Sequence, residues 1–211
     1  MMTMKIEELN VLFPDMILPL TFPKPFPEGI EDPAKIRAIV LGCDPSNFSL
    51  KDGTTNELEF VFGIEGIGKD KRYFSGILKN LNALGIEKHE MFVQNLCRNY
   101  FKQVTNGNPD WAKVAKVWIP GLKKELHDLK ISSTTPVFLT ALELYKVLLI
   151  DKRKPYPLKD LYKNPDLVPI KAEDNLLERP LIPLFRGGGN YYSLTSDKNK
   201  DFTTRIKNLL Q

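Results

Sequence analysis

The chain has 211 residues, of which 42% are hydrophobic and 27% charged, a composition that is typical of a folded globular protein and excludes a disordered chain. The net charge of +4 is mildly basic, so a polyanionic partner is permitted but not required. No secretory apolar segment begins the chain, and no apolar run has the length of a membrane span. We therefore expect a cytoplasmic protein.

The first 34 residues form a proline-rich segment, with prolines at positions 14, 19, 23, 25, 27 and 33. Proline fixes φ and removes a backbone donor, so we predict an extended arm that packs on the domain. A short helix near Lys5–Leu12 is compatible with this arm. Residues 35–211 then make up a single domain.

Short apolar runs along this domain predict buried strands. The first is Ile36–Leu41, rich in β-branched residues and ending at Gly42, which indicates a parallel strand. Leu58–Ile64 is interpreted as either a strand or the lining of a loop. The remaining predicted strands are Met91–Asn95, Pro136–Thr140 and Leu181–Leu184.

The segments between these strands have apolar residues at helical spacing. Apolar residues from Phe74 to Leu84 predict a helix that ends at the C-cap residue Gly85. A second helix covers 111–129, where Pro120 is expected to break or kink it. Residues 141–150 and the C-terminal segment from Phe202 predict two more helices. The polar, proline-containing residues 151–180 are interpreted as a long connection.

Alternating strands and helices predict an α/β fold of parallel βαβ units. The expected architecture is a three-layer α/β/α sandwich around a short, mainly parallel four-stranded sheet. In such sheets, ligands bind beyond the carboxyl ends of the strands. This rule selects three loops, Gly42–Asn47, Asn95–Asn99 and Leu184–Tyr192.

A glycine-containing loop at Gly63–Asp70 nearly matches a phosphate-binding loop. The position that should carry a hydroxyl is Asp70, and Glu65 adds a second carboxylate, so both would repel phosphate. We also expect the following helix to start late, near Tyr73, too far along to face a phosphate. A nucleotide-triphosphate binder is therefore the weakest of the functional hypotheses.

Three side chains near the predicted strand ends could carry chemistry. Asp44 precedes Pro45, which stiffens the turn, and its carboxylate could act as a general base or simply cap a turn. The amide of Asn95 could read the hydrogen-bonding edge of a uracil-like base or stabilise a turn. Phe60 or Phe62 could stack on a flat ring, although core packing is the more common role of such residues.

The order of these segments resembles the uracil-DNA glycosylase superfamily. The family's first motif is similar to Ile39–Asn47, with the core Gly42-Cys43-Asp44-Pro45. Phe60–Ile64 resembles the segment that carries the stacking phenylalanine, and Phe92–Asn95 the strand that ends in the base-reading asparagine. Later blocks of the family are similar to the helix that opens at Trp111, to Val137–Leu148, and to Ile182–Gly187, which is followed by Asn190–Ser193 and a terminal helix.

The resemblance implies a DNA glycosylase that hydrolyses the N-glycosidic bond of uracil or another damaged base, without a metal or a cofactor. Asp44 would position or activate the water, Asn95 would read the base and Phe62 would stack on it, with Cys43 and Ser46 beside it. DNA would be the partner of a protein expected to be monomeric. Ile182 stands where the family has a histidine that donates to the departing base.

The resemblance also implies a DNA-contacting surface. A glycosylase flips a base out of the stack, and Leu184 or Phe185 would be the apolar wedge that fills the gap. Arg186 would hold a phosphate. The backbone of Gly187 and Gly188 would approach the DNA, and Asn47 would contact it from the first motif. The alternative for the later loop is a glycine turn that binds nothing.

Besides the nucleotide binder, two functional hypotheses follow for this protein. The first is an active DNA glycosylase. The second is a binding protein of the same fold, with weakened or lost catalysis, that recognises nucleic acid or a free base. Ile182 motivates the second hypothesis, because losing one hydrogen-bond donor of this kind typically reduces a rate roughly 10²–10³-fold.

Overall fold

The structure, a computed structural model, describes residues 6–45, 57–65, 69–105, 107–150, 156–187, 190–191 and 193–210. Within these residues there are six α-helices and three sheets, one of four strands and two of two strands. The helices are α1 (Ile6–Leu12), α2 (Lys69–Ala83), α3 (Trp111–Asp128), α4 (Leu142–Leu148), α5 (Leu158–Lys163) and α6 (Lys200–Leu209). The strands are β1 (Ile17–Leu18), β2 (Ala38–Gly42), β3 (Met91–Asn95), β4 (Tyr100–Phe101), β5 (Val137–Leu139), β6 (Leu181–Pro183), β7 (Arg186–Gly187) and β8 (Asn190–Tyr191).

The central sheet has four strands in the order β3-β2-β5-β6, and every pair is parallel. All four strands are buried along their whole length, as expected for a parallel sheet covered on both faces. The prediction of an α/β fold with a four-stranded parallel sheet is confirmed, and the six helices are consistent with the three-layer sandwich.

The N-terminal segment lies against the edge of this sheet. Ile17–Leu18 pairs antiparallel with Tyr100–Phe101, and Phe26 exchanges two backbone hydrogen bonds with Val93 of β3. The N–H of Phe26 donates to Val93 at 3.0 Å, and the N–H of Val93 donates back at 2.7 Å. The segment thus covers backbone groups that an edge strand would otherwise expose.

Several local predictions need correction. Helix α2 begins at Lys69 rather than near Tyr73, so the late helix start no longer argues against a phosphate loop, and only the carboxylates Glu65 and Asp70 still do. Of the two outcomes expected at Pro120, a break does not occur, because Pro120 lies inside α3; a kink stays a prediction. Of the two interpretations of residues 58–64, the strand is wrong: they contain a single bridge at Phe60 and a 3₁₀ turn, Val61–Gly63, in which Phe62 has a positive φ that an extended chain does not adopt.

The predicted connection 151–180 contains a helix that the pattern did not indicate. Helix α5 begins after Pro157 and buries Leu161 and Tyr162. Its six residues are too few for a clear helical period, and the surrounding prolines favoured the interpretation as a loop. Among the described residues, no helix is both long enough and apolar enough to span a membrane.

Candidate functional site at the carboxyl edge of the sheet

The carboxyl ends of β2 and β3 lie level with each other. Gly42 is the register partner of Asn95, and the pairing continues into the two loops that follow. The N–H of Leu96 donates to the Gly42 carbonyl at 2.8 Å, and the N–H of Cys97 donates to the Cys43 carbonyl at 2.9 Å. The loop that carries Asp44 is therefore held at the edge where parallel α/β sheets bind ligands.

Asp44 receives two hydrogen bonds on the same carboxylate oxygen. The indole Nε1 of Trp111 donates to Oδ1 at 3.1 Å, and the hydroxyl of Thr105 donates to the same atom. Within the part of the chain that the structure describes, Oδ2 has no hydrogen-bond partner. The two donors orient the carboxylate and leave one of its oxygens available to a water molecule or a ligand.

The environment of Asp44 favours its neutral form. The pKa of this carboxyl is raised to about 7: burial is the largest cause, the hydrogen bonds from Thr105 and Trp111 oppose the rise, and the charge of Glu143 adds to it. A carboxyl group that titrates near pH 7 has a proton affinity suited to a general base or acid at neutral pH. Asp44 therefore differs chemically from a solvated turn aspartate.

Asn95 is the last residue of β3, and its side chain is buried. The residue is only 3% exposed, and its side-chain amide makes no hydrogen bond to any described residue. Its backbone N–H, in contrast, donates to Oε1 of Gln94 at 2.9 Å. Leaving a buried amide unpaired costs about 1–3 kcal/mol, so an amide in this state is suited to a ligand that supplies the missing partners.

Phe62 is held in an uncommon backbone conformation. Its φ of 60° and ψ of 9° lie in the left-handed region, which costs a bulky residue about 1–3 kcal/mol. The ring is 7% exposed and lies 6.0 Å from the ring of Phe74, at an angle of 58°. Strained residues of this kind concentrate at ligand sites, where the surrounding structure holds them in place.

Gly42 brings Asn95 and Phe62 together. A Cβ atom built on Gly42 would lie 2.2 Å from Oδ1 of Asn95 and 2.5 Å from Cζ of Phe62. Both side chains therefore approach the backbone of β2 directly before the loop that carries Asp44. The three residues selected from the sequence as water-positioning, base-reading and stacking groups thus lie around one short segment, Gly42–Asp44.

Cys43 lies within this segment, and Cys97 lies on the adjacent loop. Burial raises the pKa of both thiols well above the usual value, and the negative charge of Asp44 contributes in each case. Both cysteines are free. Because protonated thiols are weak nucleophiles, Cys43 is suited to packing or contact with a ligand and not to covalent catalysis.

The sequence did not reveal the donors to Asp44. Trp111 was expected only to open a helix, and Thr105 lies in a loop without a periodic pattern. Both are more than 60 positions from Asp44 in sequence, and only the fold brings them into contact. Glu143, in the first turn of α4, was also not singled out.

The segment after β6 departs from the predicted DNA-contacting surface. Leu184 and Phe185 are 0% and 1% exposed, and the Phe185 ring packs against Tyr145 at a centroid distance of 6.2 Å. Both side chains belong to the hydrophobic core, so neither lies where a wedge would meet a DNA duplex. Ile182, which the sequence resemblance aligns with a histidine, is likewise buried.

The remaining predicted contact residues are described only in part. Arg186 and Gly187 form β7, which pairs antiparallel with β8, so a hairpin takes the place of part of the predicted loop. Ser46, Asn47 and Gly188 lie outside the described residues.

Comparison with known proteins assigns no relative. No protein-family model matches the chain, and no curated protein matches it. The family resemblance therefore depends on the ordered motifs around Asp44, Phe62 and Asn95.

Proposed function

We propose that this protein is a DNA glycosylase-like hydrolase that cleaves the N-glycosidic bond of a damaged base in DNA. The observation that carries the proposal is the convergence of Asn95 and Phe62 on Gly42, next to the hydrogen-bonded carboxyl of Asp44. An enzyme that removes a base needs an aromatic ring to stack on it, a polar group to hydrogen-bond its edge and a group that activates water. Phe62, Asn95 and Asp44 are of the residue types that meet these needs.

In the proposed reaction, the base is flipped out of the duplex and stacks on Phe62. Asn95 pairs with the hydrogen-bonding edge of the base, which supplies the partners that its buried amide does not find among the described residues. Asp44 in its ionised form accepts a proton from water through Oδ2, while Trp111 and Thr105 hold Oδ1. The water oxygen bonds to the anomeric carbon, and the base departs with the electrons of the broken bond.

The proposal has DNA as the partner and needs neither a metal nor a cofactor. A monomer acting in the cytoplasm stays a prediction from the sequence. The second candidate is a protein of the same fold that binds a base without cleaving it. It is favoured by Ile182, a buried apolar residue that donates no hydrogen bond to a departing anion.

A strand-scission experiment tests the proposal. Oligonucleotides that contain uracil, hypoxanthine, a mismatch or a methylated purine are incubated with the protein, and alkali then cleaves the DNA wherever a base has been removed. We expect scission with the unaltered protein and a loss of roughly 10²–10⁴-fold in Asp44→Asn, which keeps the shape of the side chain but cannot accept the proton.

The matched control is Asp128→Asn, because Asp128 is an acidic residue on the exposed face of α3 that pairs with Lys124. Its scission rate should equal that of the unaltered protein. Binding to these oligonucleotides without any scission would support the base-binding candidate. Neither binding nor scission, with a folded protein, would contradict both candidates.

A further inference from the structure

Three buried side chains of α3 contact the segments at the carboxyl edge of the sheet. Trp111, Trp118 and Glu125 follow each other at intervals of seven residues, which is close to two helical turns, so they lie on one face of the helix. Trp111 donates to Asp44, and the indole of Trp118 donates to Oδ1 of Asn99 at 2.9 Å. The first two residues of this face therefore hold the segments that follow β2 and β3.

Glu125, the third residue of this face, contacts the chain on both sides of Asn95. Its side chain is 8% exposed and accepts one hydrogen bond on each carboxylate oxygen. Nη2 of Arg98 donates to Oε2 at 2.5 Å, and Nε2 of Gln94 donates to Oε1 at 3.4 Å. Gln94 directly precedes Asn95 in β3, and Arg98 lies in the loop that follows. One buried carboxylate thus connects the two chain segments that flank Asn95.

Gln94 extends this contact to the backbone of Asn95. The N–H of Leu96 donates to Gly42 of β2, so the N–H of Asn95 points to the opposite side, at the edge of the sheet. Oε1 of Gln94 accepts a hydrogen bond from this N–H at 2.9 Å. The side chain of Gln94 therefore satisfies a buried backbone donor that the neighbouring strand does not reach.

Glu125 determines which way the Gln94 amide is turned. The NH₂ group of a glutamine side chain only donates, its oxygen only accepts, and an ionised carboxylate only accepts. Glu125 therefore selects the orientation in which Nε2 faces the carboxylate and Oε1 faces the N–H of Asn95. The reversed amide would place two donors together at Asn95 and two acceptors together at Glu125, so the acceptor for Asn95 depends on Glu125.

Stability alone does not explain a charged pair at this place. The attraction between a buried carboxylate and a guanidinium is largely offset by the cost of removing both from water, and apolar residues of similar size often pack as well. The pair does add a fixed geometry. The guanidinium of Arg98 contacts Glu125 and lies 5.7 Å from the ring centroid of Trp118, while Asn99 accepts from the same indole. The loop after β3 is thus attached to α3 at two points.

We propose that Glu125 is a positioning residue for the base-reading Asn95, which it orients through Gln94. Because Trp111 on the same face of α3 holds Asp44, the helix also fixes the position of the reader relative to the carboxyl that activates water. The inference rests on the proposed function, since it concerns how the same site is held. Glu125 acts on the base only through these contacts.

Amide hydrogen exchange, followed by NMR, tests the positioning without any substrate. In Glu125→Gln, one acceptor oxygen remains for two donors, and the charged Arg98 makes the stronger hydrogen bond, so Gln94 loses its partner. We expect the exchange rate of the Asn95 amide to rise roughly 3–10-fold relative to that of the Val93 amide, which the N-terminal segment holds. Equal acceleration of both amides, or none at Asn95, would overturn the inference.

A second variant keeps the buried ion pair intact. Gln94→Met has nearly the same side-chain length but neither donates to Glu125 nor accepts from the backbone, so it should raise the exchange ratio by a similar factor. Glu178→Gln is the control, because Glu178 is an exposed carboxylate that pairs with Lys123 of the same helix, and the ratio should not change. An unchanged ratio in Gln94→Met would overturn the inference even if Glu125→Gln did not fold.

Base release connects the positioning to the proposed function. In Glu125→Gln, the single-turnover rate should fall on the order of tenfold. The midpoint of its pH profile should stay near neutrality, since the hydrogen bond from Trp111 to Asp44 is kept. An unchanged rate would overturn the inference and leave a glycosylase. No base release by the unaltered protein would overturn the proposed function, whereas the exchange ratio would still decide whether Glu125 holds Asn95.

Discussion

The segments that follow β2 and β6 occupy the same edge of one sheet but have opposite chemistry. After β2, a carboxylate oxygen of Asp44 and the side-chain amide of Asn95 on the adjacent strand have no hydrogen-bond partner among the described residues. After β6, Leu184 and Phe185 are buried, and the N–H of Phe185 donates to the hydroxyl of Tyr162 at 2.9 Å. Position at a strand end is therefore not sufficient for a site, since unsatisfied polar groups are also needed.

The largest expected effect tests whether the segment after β6 belongs to the core. Phe185→Ala removes a ring that is 1% exposed, and it should lower the free energy of unfolding by about 3–5 kcal/mol. Urea denaturation measures the change. Leu209→Ala, at a residue that is 42% exposed, should change stability by less than about 0.5 kcal/mol. A stable Phe185→Ala protein that no longer binds DNA would instead restore the wedge interpretation.

Gly42→Ala tests the close approach of the Asn95 and Phe62 side chains to the end of β2. The added Cβ would meet Asn95 at 2.2 Å and Phe62 at 2.5 Å, so one of the two side chains must move. We expect a loss of about 1–3 kcal/mol in stability, measured by urea denaturation, and loss of base release. Gly29→Ala is the control, because, apart from its chain neighbours, no described residue has an atom within 4 Å of the new Cβ. Full activity in Gly42→Ala would show that this contact is irrelevant to the site.

Asn95 and Asn99, both buried, allow a functional side-chain amide to be compared with a structural one. Asn99 is fully buried and accepts a hydrogen bond from the indole of Trp118 at 2.9 Å, so Asn99→Ala leaves that donor unpaired. It should cost about 1–3 kcal/mol, measured by urea denaturation. Asn95→Ala should cost no more than about 1 kcal/mol, since its amide has no described partner, yet it should impair base release. The reverse ranking would argue that Asn95 is structural.

A smaller effect tests the hydrogen bonds to Asp44. Trp111→Phe removes a donor that stabilises the ionised carboxylate, so the pKa of Asp44 should rise above its value of about 7. An NMR titration of the aspartate carboxyl carbons measures this shift. Trp118→Phe is the matched control, because that indole donates to Asn99 and not to Asp44. A pKa that stays constant in Trp111→Phe would mean that the indole does not tune this group.

Much of the fold could be predicted because each central strand is a short apolar run and each long helix has a clear period. Met91–Asn95 matches an observed strand at both ends, and Ile36–Leu41, 136–140 and Leu181–Leu184 match observed strands to within two residues. The predicted strand ends also indicated which residues lie in the site, because the carboxyl ends of parallel strands, after which Asp44 and Asn95 come, meet at one edge of the sheet.

Other features depend on contacts between distant parts of the chain. Thr105 and Trp111 reach Asp44 only after folding, and no local pattern marks them as its donors. Phe185 was expected to act as a wedge in DNA because it follows a predicted strand end in a site loop, but its apolar side chain is buried in the core. Phe62 adopts a left-handed conformation that its residue type disfavours, so only the surrounding structure explains it.

The most direct test of the central claim is the single-turnover rate of base release between pH 5 and pH 9. Asp44 acts as a base only when ionised, and its pKa is about 7, so the rate should rise with pH through a midpoint near neutrality. In Asp44→Asn, the rate should be low and should lose this dependence. A rate that does not change through neutrality, or that is equal in Asp44→Asn and the unaltered protein, would contradict the assignment of Asp44 as the group that activates water.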